Sequence, residues 1–311
     1  MSTDVDNQSE GTLAGTVVRP AGRHTILWLQ GALLVILLAY LYTSILRLLV
    51  LDWWTDPNFS HGFLVPLFSG YVLWRERELL RAIPIRPSWF GIVIIAGALG
   101  ILVVGVLGAE LFLSRSSLVF LLAGLVIYYQ GWRWFRAVLF PWAVLFLMIP
   151  IPELILNQVT LPLQFLASDL AASLLTFLHV PVLREGNVIQ LATMSLEVVA
   201  ACSGIRSLVS LGTLAVIYGY FLEPRIWLRI ALILAAAPIA VAANGLRIMG
   251  TGLTGLYWSP DKAQGFFHEF SGWVIFLLSL GFLILVHGAL RWAATLFSRG
   301  RAASAARPGR T

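Results

Sequence analysis

The sequence predicts an all-α polytopic membrane protein. Hydrophobic residues make up 59% of the 311 residues and charged residues only 12%, whereas a soluble domain has about 45–50% apolar and about 25% charged residues. The apolar residues form long runs, several of them near the roughly 20 residues that a membrane helix needs. All basic residues except Lys262 are arginines, and they cluster in short segments between the runs. That pattern is typical of membrane orientation and argues against a nucleic-acid-binding surface.

The chain divides into a membrane domain, 26–290, between two polar tails. Residues 1–25 are rich in Ser, Thr and Gly, which predicts a disordered cytoplasmic tail. The first apolar run, 26–46, is too long for the apolar core of a cleaved signal peptide, so we expect it to be an uncleaved first helix. Residues 291–311 form a basic C-terminal tail, expected in the cytoplasm.

About eight crossings are predicted from the apolar runs. Three of these runs are short for a full crossing, so we expect flanking residues to extend them or the chain to re-enter the membrane there. The eight runs lie near 26–46, 61–74, 89–109, 117–130, 137–151, 204–222, 230–249 and 272–290.

The basic residues predict which side of the membrane each segment faces. With eight crossings, fifteen basic residues fall on the side of both tails and six on the other. Because cytoplasmic loops carry the excess of Arg and Lys, both termini are predicted to be cytoplasmic. The outer segments are then 51–60, 152–203 and 250–271.

The outer segment 152–203 is too long for a simple loop. Residues 153–180 are amphipathic and predict a helix or helical hairpin lying in the outer interface, with a pair of crossings as the alternative. The following residues, through Val199, are rich in β-branched side chains around the turn sequence Arg-Glu-Gly-Asn. They predict a short β-hairpin or extended platform that leads into Cys202.

Cys202 is the only cysteine, which excludes an intrachain disulfide and a multi-cysteine metal site. It lies where the extended segment meets the next membrane helix. The free N–H groups at a helix start stabilise a thiolate, and Arg206 adds positive charge in the same turn, with Ser203 between them. The alternative is a small packed hydrophobic residue.

Arg247 and the neighbouring Asn244 lie at the outer end of the next predicted crossing. An arginine inside a membrane segment is expensive, and its guanidinium is suited to bind a carboxylate or stabilise an oxyanion. An anchor that reaches to the interface is the alternative.

His268 begins the last predicted crossing on the same side, with Glu269 beside it as an orienting group. An interfacial histidine in an aromatic belt is the alternative. Cys202, Arg247 and His268 therefore stand at the outer ends of three successive crossings. A nucleophile, a proton acceptor and an electrophilic stabiliser are the parts that cysteine acyl transfer requires.

His61 is a weaker candidate for substrate binding, because the tryptophans before it indicate interfacial anchoring. No nucleotide-binding or zinc-protease motif is present. We therefore expect no metal ion and no cofactor.

Six stretches of the sequence resemble the exosortases, bacterial membrane enzymes that process proteins with a C-terminal PEP-CTERM signal. They occur in the family's order from about residue 26 to 290. The stretches are SHGFLVPLFSGYVLW (60–74), PIPE (150–153), REGNVI (184–189), ACSGIRSL (201–208), ANGLRI (243–248) and FHEFSGW (267–273). The family's catalytic Cys, Arg and His match Cys202, Arg247 and His268, and the pattern is closest to the exosortase A type.

The resemblance implies transpeptidation at the outer face of the bacterial inner membrane. The substrate would be a secreted protein carrying a Pro-Glu-Pro motif, one membrane helix and a basic cytoplasmic end. Cys202 would form a thioester near the motif, and an acceptor from a cell-surface or extracellular polysaccharide would then take the protein. The implied partners are these substrates, membrane lipid and the acceptor, and no nucleic acid.

Two other functions use outer-face Arg and His groups. A transporter would use Arg247 and Asp169 as an ion path, but its polar groups are expected near the membrane midplane. A lipid-linked glycan polymerase or ligase has no need for a reactive thiol. Dependence on Cys202 therefore separates the three hypotheses.

Overall fold

The computed structural model describes residues 22–198, 204–258 and 266–305, and only the backbone at the helix ends 22–28, 30, 266–271 and 297–305. Chain contacts divide it into two units, up to Ser44 and from Ile45 onwards. The first unit is the N-terminal part of helix α1 (Gly22–Thr55). The second unit contains the end of α1, all other elements and the candidate site.

Ten further helices and one small sheet follow α1 among the described residues. Short 3₁₀ turns at Ser60–Phe63 and Leu145–Met148 precede α2 and follow α7. The helices are α2 (Leu64–Arg75), α3 (Arg77–Ala82), α4 (Phe90–Leu107), α5 (Leu111–Tyr129), α6 (Trp132–Ala137), α7 (Leu139–Val144), α8 (Glu153–Phe177), α9 (Ile205–Leu222), α10 (Ile226–Tyr257) and α11 (Phe266–Ala305).

The predicted all-α polytopic fold is confirmed, with seven rather than eight helices in the described residues long and apolar enough to cross a membrane. Two predicted crossings, 61–74 and 137–151, form only the short helices α2 and α7 with their 3₁₀ turns. One segment not counted as a crossing, α8, qualifies instead. The seven candidate spans are Gly31–Thr55, Phe90–Leu107, Leu111–Tyr129, Glu153–Phe177, Ile205–Leu222, Ile226–Tyr257 and Gly272–Leu296.

Helix α8 agrees with the first of the alternatives predicted for 153–180, a single helix. It is one uninterrupted helix of 25 residues, so neither a helical hairpin nor a pair of crossings forms there. The polar residues that interrupt its apolar sequence are buried or paired. Thr160, Gln164 and Ser168 are buried, and Asp169 pairs with Arg184 at 3.0 Å. Buried or paired polar groups do not prevent a helix from lying in an apolar environment.

Helices α4 and α5 form a tight antiparallel hairpin, because glycines remove side chains from the contact. A Cβ at Gly91 would lie 2.5 Å from the backbone nitrogen of Tyr128, and a Cβ at Gly105 would lie 2.6 Å from Ser114 Oγ. Small residues at such positions let helix backbones approach closely in membranes. Helix α5 also starts before its predicted bound of 117.

A second group of helices, α9, α10 and α11, packs around small side chains. Its buried cluster contains residues of all three helices, namely Leu211, Ala215, Leu232, Ala236, Ala240 and Leu283. Helix α11 runs on through Ala305, so it includes much of the segment predicted as the basic tail. The three helices of the candidate site therefore pack side by side.

The predicted β platform is confirmed as a three-stranded antiparallel sheet. Strands β1 (Leu183–Glu185), β2 (Val188–Gln190) and β3 (Ser195–Glu197) pair in that order. The turn after β1 begins with Gly186 at φ 64°, as a two-residue hairpin loop with glycine first requires. The sheet packs between α8 and α10 through Leu175, Ile189 and Ile248 among others.

Candidate active site

The start of α9 lies against Asn244 of α10. Gly204 precedes α9 with φ 84°, a left-handed conformation that glycine adopts without strain. A Cβ at Gly204 would lie 3.0 Å from the Cβ of Asn244 and 3.3 Å from its Nδ2. Asn244 is only 1% exposed. The contact joins α10 to the helix start that carries the predicted nucleophile.

Cys202 and Ser203 lie outside the described residues. Cys202 is two residues before Gly204 in the sequence, and two residues span at most about 7 Å. Arg206, predicted to support the thiol, is exposed in the first turn of α9.

The guanidinium of Arg247 extends to α11. Its Nη1 lies 4.0 Å from the position that a Cβ at Gly272 would take. Arg247 is half-buried, and its carbonyl oxygen accepts a hydrogen bond from Thr251 Oγ1 at 3.0 Å. One turn of α10 therefore contacts two partners, α9 through Asn244 and α11 through Arg247.

His268 and Glu269 lie in the first turn of α11, where the structure describes the backbone alone. His268 is four residues before Gly272, and residues four apart share one face of a helix. Position 268 is thus placed on the face of α11 that Arg247 contacts, one turn further toward the N-terminus.

Helix α8 brings the sheet to the same end of α10. Gly245 lies against Leu170, with a would-be Cβ 2.6 Å from its Cδ2, and Gly252 lies against Leu175 at 3.5 Å. The residue numbers rise together along both helices, so α8 and α10 run in the same direction where they touch. The sheet that follows α8 is consequently carried to the C-terminal half of α10, which bears Asn244 and Arg247.

His61 contacts a different part of the fold, the turn that follows α7. It is buried, and its Nε2 lies 3.2 Å from the carbonyl oxygen of Leu147, while Trp53 Nε1 donates to Met148 O at 2.8 Å. Burial lowers the pKa of His61, against the opposing effect of its backbone hydrogen bonds. The neutral imidazole then donates from Nε2 to the Leu147 carbonyl, which ties the turn before α2 to the turn after α7.

Two buried polar groups were not singled out from the sequence. Arg115, 2% exposed, pairs with Asp52 at 2.7 Å. At the far end of α9, Glu223 Oε2 lies 3.2 Å from His287 Nε2, and His287 Nδ1 lies 2.9 Å from the hydroxyl of Tyr218. The sequence does contain a signal for Arg115, because an arginine within an apolar run rarely lacks a role.

A family model described as "Transmembrane exosortase" matches residues 53–285, which is most of the chain and includes Cys202, Arg247 and His268. No curated protein and no solved structure gives a significant match. The chain belongs to the transmembrane exosortase family. Its general activity is accordingly that of a membrane cysteine transpeptidase, and the first of the three hypotheses is favoured over the transporter and the glycan enzyme.

Proposed function

We propose that this protein cleaves the C-terminal PEP-CTERM signal of secreted proteins through a thioester on Cys202 and transfers them to a surface or extracellular polysaccharide acceptor. One observation carries the proposal. A single turn of α10 contacts the start of α9, two residues after Cys202, and the first turns of α11, one turn after His268. The described residues next to Cys202 and His268 in the sequence thus adjoin the turn of α10 that carries Arg247, and this supports the proposal.

The chemistry assigns one role to each residue. Cys202 Sγ attacks the carbonyl carbon of the scissile peptide bond, and its proton passes to His268. Arg247 stabilises the negative charge that develops on the carbonyl oxygen. Collapse of the tetrahedral intermediate breaks the C–N bond, and His268 returns the proton to the leaving amine. An amine or hydroxyl of the acceptor then attacks the thioester and releases Cys202. Ser203, Asn244 and Glu269 are proposed to support these groups.

The proposed membrane side of the site is the outer face of the bacterial inner membrane. Arg75 stacks over Phe221, Arg229 stacks over Tyr220, and Arg291 lies 3.7 Å from Glu223. These arginines gather where α9 ends, whereas Gly204 precedes its start, and 18 residues of helix span about 27 Å. That length is close to the thickness of the bilayer core. Positive charge on the cytoplasmic side supports a cytoplasmic end of α9 and an outer site at its start.

The first test is processing of a tagged PEP-CTERM substrate in cells. Cys202→Ala is compared with wild type and with Ser207→Ala, a control in the first turn of α9. We expect the substrate to keep its full length with Cys202→Ala and to be shortened with the other two, at equal accumulation in the membrane. Normal processing by Cys202→Ala would show that the Cys202 thiol takes no part in the mechanism.

A further inference from the structure

The two edges of the sheet differ. The β1 side is attached to α8: Ser168 Oγ lies 3.2 Å from the carbonyl oxygen of Gly186, and Arg184 pairs with Asp169. On the other side, no strand in 22–198, 204–258 or 266–305 pairs with the outer edge of β3. The side chains of Ser195 and Glu197 in β3 are exposed.

The hydrogen bonds of β3 determine which backbone groups face outward. Val198 N–H donates to Asn187 O, and Leu191 N–H donates to Met194 O, each at 2.9 Å. Residues 194, 196 and 198 therefore direct their backbone groups toward β2. Since alternate residues of a strand face opposite sides, Ser195 and Glu197 direct their N–H and C=O groups toward the open edge.

Strand β3 is held in position by side chains that pack against α10. A Cβ at Gly252 would lie 3.2 Å from Leu196 Cδ1, and a Cβ at Gly255 would overlap the sulfur of Met194. Val198 is buried in the cluster between α8 and α10. The chain then leads from Val198 to Cys202 within four residues. The edge of β3 is thus held by packing against α8 and α10, and in the sequence it ends a few residues before the predicted nucleophile.

We propose that the open edge of β3 binds the Pro-Glu-Pro motif of the substrate as a fourth strand; this inference rests on the proposed function. Extended peptides commonly add to exposed sheet edges through backbone hydrogen bonds. The glutamate of the motif exchanges backbone hydrogen bonds with Ser195 and Glu197. The adjoining residues then pass by the start of α9, where Cys202 attacks.

The two prolines of the motif explain why it fits this edge. Proline has no N–H, so it is tolerated in a strand only where its nitrogen faces away from the neighbour. Prolines two residues apart face the same side, and the residue between them faces the other. A Pro-Glu-Pro strand therefore offers a full set of backbone groups to β3 only at its glutamate. Its outer side lacks donors, which prevents a fifth strand from adding.

Disulfide trapping tests this placement without needing turnover. Cys202 is the only cysteine, so Cys202→Ala provides a chain without thiols, into which Glu197→Cys or Ser195→Cys is introduced. Glu185→Cys on the β1 edge is the matched control, an exposed glutamate of the same sheet. Substrates carry one cysteine on either side of the motif. Neighbouring strands bring Cα atoms within the roughly 4.4–6.8 Å that a disulfide requires.

We expect a disulfide-linked substrate adduct with Glu197→Cys or Ser195→Cys and none above background with Glu185→Cys, at equal accumulation in the membrane. Equal adducts on both edges, homodimers linked through β3, or no adduct with either β3 variant would overturn the inference while wild-type processing continues. If wild type leaves the substrate unprocessed, the proposed function fails instead, and the inference falls with it.

Discussion

Arg247 and Gly272 are in contact across the α10–α11 interface, with Nη1 of the arginine 4.0 Å from the position of a Cβ on the glycine. That distance is ordinary van der Waals contact, so a methyl group fits there and a larger side chain does not. The guanidinium therefore occupies space that only a glycine or alanine leaves open. This contact fixes Arg247 one turn from position 268.

Gly272→Leu is expected to lower processing by about 10²-fold, because displacement of a catalytic group by about 1 Å has that effect. Gly272→Ala should keep most of the activity. Gly281→Leu is the matched control, since nothing lies within 4 Å of a Cβ at that glycine of the same helix. Initial processing rates in isolated membranes provide the measurement. Equal rates for Gly272→Leu and Gly281→Leu would contradict a role for the contact.

Arg247→Lys is expected to reduce processing by about 10²–10³-fold, the effect of losing one donor from an oxyanion site. Lysine keeps the charge but lacks the planar, rigidly spaced donors of arginine. The control is Arg133→Lys, at an exposed arginine in α6. Both variants should accumulate in the membrane like wild type, and their initial processing rates are compared. A normal rate for the Arg247→Lys variant would limit the role of Arg247 to its charge.

Gly204→Ala is expected to destabilise the protein by about 1–3 kcal/mol, the range for a residue forced into a sparsely populated backbone region. The added methyl group would also press on Asn244 at 3.0 Å. Gly212→Ala, in the same helix with open space around it, should be neutral or slightly stabilising. Thermal unfolding in detergent compares the two. A smaller loss at Gly204 than at Gly212 would argue against the left-handed conformation.

The shifted pKa of Glu223 leads to a specific prediction of how stability depends on pH. Burial alone would raise the pKa of this carboxyl, but hydrogen bonds from His287 and the Arg225 N–H, with the charge of Arg291, lower it below the usual 4.5. A lowered folded-state pKa contributes stability above pH 4.5, and that contribution is lost as the pH falls through the folded-state value. Acid should therefore weaken the connection between α9 and α11.

Glu223→Gln is expected to lower the free energy of unfolding by about 1.5–3 kcal/mol at pH 7, because it weakens hydrogen bonds that a buried carboxylate accepts. The difference from wild type should shrink as the pH falls below 4.5. Unfolding in detergent at several pH values between neutral and strongly acidic conditions provides the curve. A difference that stays constant across this range would show that the carboxylate charge contributes nothing.

The sequence predicts helices best where apolar residues are continuous. Helix α4 lies within the predicted 89–109, whereas α5 begins six residues before its predicted start because it contains the buried Arg115 and three buried serines. The charge of Arg115 is balanced by Asp52, more than sixty residues earlier. A periodicity argument on one segment does not include such a partner, so the predicted start at 117 falls after Arg115.

The candidate site was predicted as three helix ends on one side, and the described parts of α9, α10 and α11 do adjoin there. The sequence did not indicate which helix each side of α10 faces, because the rotation of a helix depends on packing. Glycines determine that packing at 204, 245 and 272. The pair of Glu223 with His287 was also missed, since it joins residues 64 positions apart.

The most direct test of the central claim is capture of the covalent intermediate on Cys202. Membranes containing the protein and a tagged PEP-CTERM substrate are quenched in acid and analysed by blotting and mass spectrometry. We expect a conjugate of enzyme and substrate on the peptide containing Cys202, released by hydroxylamine as a hydroxamate and absent from Cys202→Ala. Processed substrate that forms without any conjugate, and that hydroxylamine leaves unmodified, would contradict a cysteine transpeptidase mechanism.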